Sequence, residues 1–131
     1  MINTYEGYLN HPAGNILTID DALKMYTALG ESIAKCSTED KMEFYDDFIK
    51  RASKYSAYRC EWEYMSREDK LTEDKYRTSS HDAFIDSLNL LSRLAAAEGI
   101  DYSWREELGD ERKRIGDFAC FVAYMTGISN R

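Results

Sequence analysis

From Glu31 to Glu98 the chain contains neither glycine nor proline, and this absence constrains its fold more than any other feature. Glycine and proline are the residues that interrupt regular backbone most strongly, one through its freedom and the other through its missing donor. A stretch this long without either has to be punctuated by side-chain caps. Its apolar residues recur every three to four positions, the spacing of a one-sided helix, and no segment alternates apolar and polar residues over strand length. The expected fold is all-α: one domain over residues 1–131, a compact bundle of four main helices plus one short helix, with an irregular N-terminal arm.

The caps set the expected order. Residues 1–17 hold the only proline, Pro12, amid turn-forming residues, and form the arm. Thr18-Ile19-Asp20-Asp21 is a capping box opening a helix of about 19–36, with Ile19, Leu23, Tyr26, Ile33 and Cys36 inward. Gly30 weakens that helix by about 1 kcal/mol relative to alanine. Ser37-Thr38-Glu39-Asp40 opens a second, with Tyr45, Phe48, Ala52, Tyr55, Arg59 and Trp62 on one stripe. Thirty unbroken residues would span about 45 Å, so either an end protrudes or the helix breaks near Ser66-Arg67-Glu68-Asp69. Thr78-Ser79-Ser80-His81-Asp82 reads as the next start, with Ser79 or Ser80 as N-cap. The helix of about 80–98 buries Phe84, Leu88, Leu91 and Ala95, the expected centre of the core, and ends at Gly99-Ile100. Ser103-Trp104-Arg105-Glu106 caps a short helix. The last helix, about 111–126, turns Ile115, Phe118, Ala119, Val122 and Met125 inward and closes at Gly127.

A net charge of −7 argues against binding nucleic-acid backbones or anionic membranes. No apolar run approaches the length of a membrane span and no basic-then-apolar leader opens the chain, so a cytoplasmic location is expected. Cys36, Cys60 and Cys120 are odd in number and lack paired spacing, which fits buried free thiols in a reducing compartment. HExxH, EF-hand, phosphate-loop and dinucleotide signatures are absent, and His11 and His81 are the only histidines. No enzyme, metal or cofactor is therefore expected. Ten tyrosines and two tryptophans suit amphipathic core edges, and equally interfaces and flat ligands. A homodimer through a tyrosine-bearing helix is a reasonable consequence.

The sharpest local anomaly is Arg112-Lys113-Arg114, three cations where a helix begins. Each is misplaced against the helix dipole by about 0.3–1 kcal/mol. Arg114 stands near Asp110 and Asp117 and Lys113 reaches Asp117, so these two are expected to pair internally. Arg112 shares its face with Gly116 and Ala119, and is the hardest to neutralise. His81, at an expected helix N-terminus, and Arg77, four residues earlier, point to the same spot. Together Arg77, His81 and Arg112 suggest a site for a small phosphorylated ligand, with Trp104, Trp62 or Tyr76 to stack on a base. A competing surface is the acidic stretch bearing Glu68, Asp69, Glu73 and Asp74, suited to a protein partner that otherwise grips phosphates, although interleaved cations dilute it.

The half running from Arg77-x-x-x-His81-Asp82 through Trp104-Arg105-Glu106-Glu107-Leu108-Gly109-Asp110-Glu111-Arg112 to Ile115-Gly116-Asp117-Phe118-Ala119 resembles a group of small domain-of-unknown-function proteins. These come from phages and conjugative elements of gut-dwelling anaerobic bacteria. Accessory proteins of such elements often counter host defence, by sequestering a nucleotide signal or by blocking a nuclease complex such as a CRISPR effector. The resemblance implies no activity directly, and it directs attention to Arg77, His81, Trp104, Arg112 and Asp117. The leading expectation is a non-enzymatic binding protein acting in the host cytoplasm, with a protein-protein inhibitor or a structural helical module as alternatives.

Overall fold

The computed structural model describes residues 16–109 and 111–129, with the side chains of Glu63, Glu107, Ile128 and Ser129 left aside. The expected arm lies almost wholly outside the described residues, as does Asp110. The elements are α1 (Ile19–Lys35), α2 (Lys41–Glu61), a 3₁₀ turn (Trp62–Tyr64), α3 (Arg67–Ala97), α4 (Trp104–Leu108) and α5 (Arg112–Ser129). Among the described residues there is no strand. The architecture is the all-α bundle of four main helices and one short one.

The Thr18 hydroxyl accepts from the Asp21 N–H at 3.1 Å and starts α1, as its capping box predicts. The inward face of α1 is rotated from the expected stripe: Ala22, Met25, Leu29 and Ile33 are buried, while Ile19 and Leu23 are exposed. Ser37 does not cap α2. Its N–H and hydroxyl bind the Glu98 carboxylate instead, and Asp40 stands at the cap position without a side-chain bond. Lys41 Nζ then closes the corner, donating to the carbonyls of Ala34 and Cys36 at the end of α1.

The chain breaks where the sequence allowed it to. After the 3₁₀ turn, Ser66 accepts from the Asp69 N–H at 3.1 Å and opens α3. From there α3 runs on unbroken to Ala97, so Ser79 and Ser80 are not caps and His81 is not near a helix N-terminus. Ser80 is buried, its hydroxyl donating to the Tyr76 carbonyl one turn back. Local cap chemistry loses here to a helix already nucleated upstream. At the far end Gly99 has φ +75° and the Ile100 N–H returns to the Ala95 carbonyl, the glycine closure anticipated from sequence. Ser103 makes no side-chain cap bond to α4. Gly127 does not stop α5, which continues to Ser129.

α2 lies between α3 and α5 and packs along both. One buried phenylalanine from each helix forms the spine of the core. Phe48 stacks on Phe84 at 5.5 Å between centroids, and Phe84 meets Phe118 at 6.4 Å. Burying three such rings stabilises the fold by several kcal/mol, at roughly 25 cal/mol per Å² of apolar surface. The expected centre shifts accordingly: α5, not the 80–98 segment, is enclosed on nearly every side from Ile115 to Ala123.

Candidate functional site

The C-terminal half of α2, the middle of α3 and the first turns of α5 converge on Tyr55. Its ring is 2% exposed and meets the His81 imidazole edge-on at 5.3 Å. Burial pushes the Tyr55 phenol up, against the opposing pull of the Arg112, Arg59 and Arg77 charges. Three guanidinium groups and one imidazole, carried by three helices, therefore surround a single neutral phenol in a chain of net charge −7.

Each member reaches the cluster for a local reason. Arg59 comes from the inward stripe of α2. Its Nη2 donates to Asp117 Oδ1 at 2.9 Å and to the Lys113 carbonyl at 3.2 Å. It crosses α5 directly over Gly116, where a Cβ would overlap the Arg59 Cδ and Nε. The small residue noted in sequence thus admits a side chain of α2. Arg77 lies flat on Trp62, 3.9 Å from the ring centroid, and donates to Asp74 Oδ1 at 3.0 Å one turn back. Such a stacked guanidinium keeps its planar fork of donors oriented. His81 Nδ1 is 3.2 Å from Asp82 Oδ1. Arg77 Nε and His81 Nε2 are buried without a hydrogen-bond partner among the described residues. An unmet buried polar atom costs about 1–3 kcal/mol, so two in one cluster are a reservoir that an incoming partner can draw on.

The cations at the start of α5 separate. Arg112 is exposed, and its charge acts on Tyr55. Arg114 Nε donates to the Leu108 carbonyl at 2.9 Å, closing the end of α4, and Asp110, one of its two expected partners, lies outside the described residues. Among the described residues Lys113 forms no salt bridge with Asp117, whose carboxylate is engaged by Arg59. Asp117 is 1% exposed and accepts from Arg59 through one oxygen and from the N–H groups of Ile16 and Leu17 through the other. The first turn of α5 contains no acidic residue, so helix dipole and side chains there carry the same sign.

Of the sequence candidates, His81 touches Tyr55, the Arg77 and Arg112 charges act on the same phenol, and Trp62 lies under Arg77. Asp117 touches the cluster through Arg59 as a buried anchor. Trp104 does not belong to it: the ring is 3% exposed and its N–H goes to Asn89 Oδ1 at 2.9 Å, so no face is open for stacking. Tyr76 is exposed and carries Lys75 over its ring. The sequence reading missed Tyr55 and Arg59 as site residues because both fit a packing stripe. A cation on an otherwise apolar stripe was the available signal.

A different face of α2 lines a groove of about 880 Å³ that includes Lys50, Lys54, Tyr58, Glu61, Asp69 and Glu73. Its charges are mixed in sign, and it offers an anion less than the Tyr55 cluster does. Of the acidic candidates, Glu68 and Asp69 are exposed, Glu73 is half-buried in that groove, and Asp74 is engaged with Arg77. Compared with protein-family models, curated proteins and solved structures, the chain matches none.

Proposed function

We propose that the protein is a non-enzymatic binder of a small phosphorylated molecule, held at the cluster of Arg77, His81 and Arg112 around Tyr55. The observation that carries this reading is the convergence of those cations, from helices distant in sequence, with buried donor positions unmet. Arg112 and the first turn of α5 contribute charge, and Arg77 contributes a guanidinium stacked on Trp62. The neutral Tyr55 hydroxyl serves as a polar contact that adds no charge of its own. Trp62 and Tyr76 are the aromatic surfaces nearest to hand for a base. With the resemblance of the C-terminal half to proteins of phages and conjugative elements, the ligand class becomes a nucleotide signal. The role becomes its sequestration in counter-defence within the host cytoplasm.

A thermal-shift panel of inorganic phosphate, pyrophosphate and linear and cyclic nucleotides tests this. At least one nucleotide is expected to raise the midpoint, and Arg112→Ala and Arg77→Ala should each abolish the shift while leaving the unliganded protein folded. No shift with any ligand, or shifts indifferent to both substitutions, would refute the assignment.

A second reading rests on the tip formed by the 3₁₀ turn and the start of α3. Tyr64 is 72% and Leu71 77% exposed, beside Glu68 and Asp69. From Arg67 to Ser79, α3 buries no residue, so this end stands clear of the core. Exposed apolar groups among carboxylates suit a docking surface for a basic protein such as a defence nuclease. Reversing Glu68, Asp69, Glu73 and Asp74 should then abolish capture of a single stoichiometric partner from host lysate, and retained capture rejects this reading.

A further inference from the structure

Beside the cluster, two thiols face each other across the α2–α5 contact. Cys60 Sγ and Cys120 Sγ are 3.5 Å apart and share a hydrogen bond, and both residues are buried. We propose that Cys60 and Cys120 are an oxidation-responsive pair, which a peroxide converts to a disulfide stapling α2 to α5.

The geometry is close to what the bond needs. A disulfide closes at about 2.05 Å, so the sulfurs must approach by about 1.5 Å, within reach of side-chain rotation and a small helix shift. The two roles are already distinguished. The hydrogen bond shared with Cys120 is the main influence holding the Cys60 thiol below its usual range. Ser56 and the Arg59 guanidinium add to it, against the opposing effect of burial. The same shared bond and burial push the Cys120 thiol well up. With this lowered thiol and its place near the end of α2, Cys60 is the attacking sulfur and Cys120 the resolving one. Cys60 also sits in the last turn of α2, immediately before the helix gives way to the 3₁₀ turn, and helix ends open first. A peroxide is hardly larger than water and needs only such an opening.

The step balances. The Cys60 thiolate attacks one peroxide oxygen, the O–O bond breaks, and the departing hydroxide takes a proton to become water. The Cys120 sulfur then attacks Cys60 sulfur, the S–O bond breaks, and a second water leaves with the Cys120 proton. Two thiols are oxidised by two electrons and one peroxide is reduced to two waters. Cys36 supplies an internal control. Its Sγ contacts the Ser32 carbonyl at 3.5 Å, burial and the Glu98 charge push its thiol up, and its shared sulfur bond is to backbone alone.

The test is exposure of the full chain to hydrogen peroxide, followed by alkylation under denaturing conditions and peptide mass mapping. The expected product is a linked peptide joining Cys60 to Cys120, with Cys36 recovered alkylated. Oxidised protein should melt roughly ten degrees higher and return to the reduced midpoint on treatment with dithiothreitol. Cys60→Ser should give no linked peptide. Cys60 carried to sulfinic acid without a cross-link, a link through Cys36, or three unmodified thiols would each overturn the proposal. The mapping on the unsubstituted protein decides the matter even if the variant fails to fold.

Discussion

Asp117 is 1% exposed and is met by three donors: the Arg59 guanidinium and the N–H groups of Ile16 and Leu17. Removing one partner from a buried ion pair typically costs about 3–5 kcal/mol, since the other charge is left inside without compensation. Arg59→Ala should therefore destabilise the protein by about 3 kcal/mol in denaturant unfolding. Gly116→Ala acts on the same contact from the other helix. Alone, a methyl there displaces Arg59 from its path, and the loss should outweigh the roughly 1 kcal/mol that alanine gains over glycine inside a helix. In the Arg59→Ala background the obstruction is gone, and Gly116→Ala should become neutral or stabilising. This change of sign in a double-mutant cycle is the measurement. If Gly116→Ala has the same effect in both backgrounds, Arg59 and Gly116 are not coupled as described.

Where α3 begins decides what surrounds His81. A start at Ser79 or Ser80 would have placed the imidazole among unpaired backbone N–H groups. The start at Ser66 places it in mid-helix, and its neighbours are then the Tyr55 ring of α2 and the Asp82 carboxylate. Ser66→Ala should cost about 1 kcal/mol, the usual loss of a serine cap, whereas Ser79→Ala should gain a few tenths as a better helix former on an exposed face. Urea midpoints of the two variants moving in opposite directions would agree with the continuous helix, and a loss at Ser79 matching that at Ser66 would contradict it. The same segment shows what was legible in the sequence. Gly99-Ile100 could be read because a left-handed closure depends on the glycine itself. Ser37, Ser79 and Ser103 could not, because a serine caps only if no distant partner and no earlier helix claims it, and Glu98 and Ser66 settle the first two cases from far away. Arg112 could be singled out as the cation hardest to neutralise on its own helical face, and Arg77 and His81 as cations four residues apart on one face. That Tyr55 would be their meeting point depended on how α2 lies between α3 and α5, which local periodicity does not encode.

At the scale of the whole molecule, α2 is held at its two ends by different chemistry. One end carries the cationic cluster. At the other, Glu98 from the close of α3 accepts from the Ser37 N–H at 2.8 and 2.9 Å and from its hydroxyl at 2.8 Å, joining the α1–α2 corner to a residue 61 positions away. The Ser37 N–H, then its hydroxyl, then the Thr38 N–H and the Lys41 charge hold the Glu98 carboxyl below its usual range. A carboxyl whose folded value is depressed contributes stability that is complete above its unfolded value, about 4.3 for glutamate, and that fades as pH falls through the lower folded value. The stability gap between the unsubstituted protein and Glu98→Ala should therefore hold steady from neutral pH down to about 4.5 and then close as the solution is acidified further. Thermal unfolding of both proteins across that range measures it, and a gap undiminished at the acid end would mean that the charge is not what makes the clamp. Because the clamp and the cluster share no residue, Glu98→Ala should leave the nucleotide-induced thermal shift intact near neutral pH. Loss of that shift would place the ligand's contacts at the Glu98 corner instead of around Tyr55.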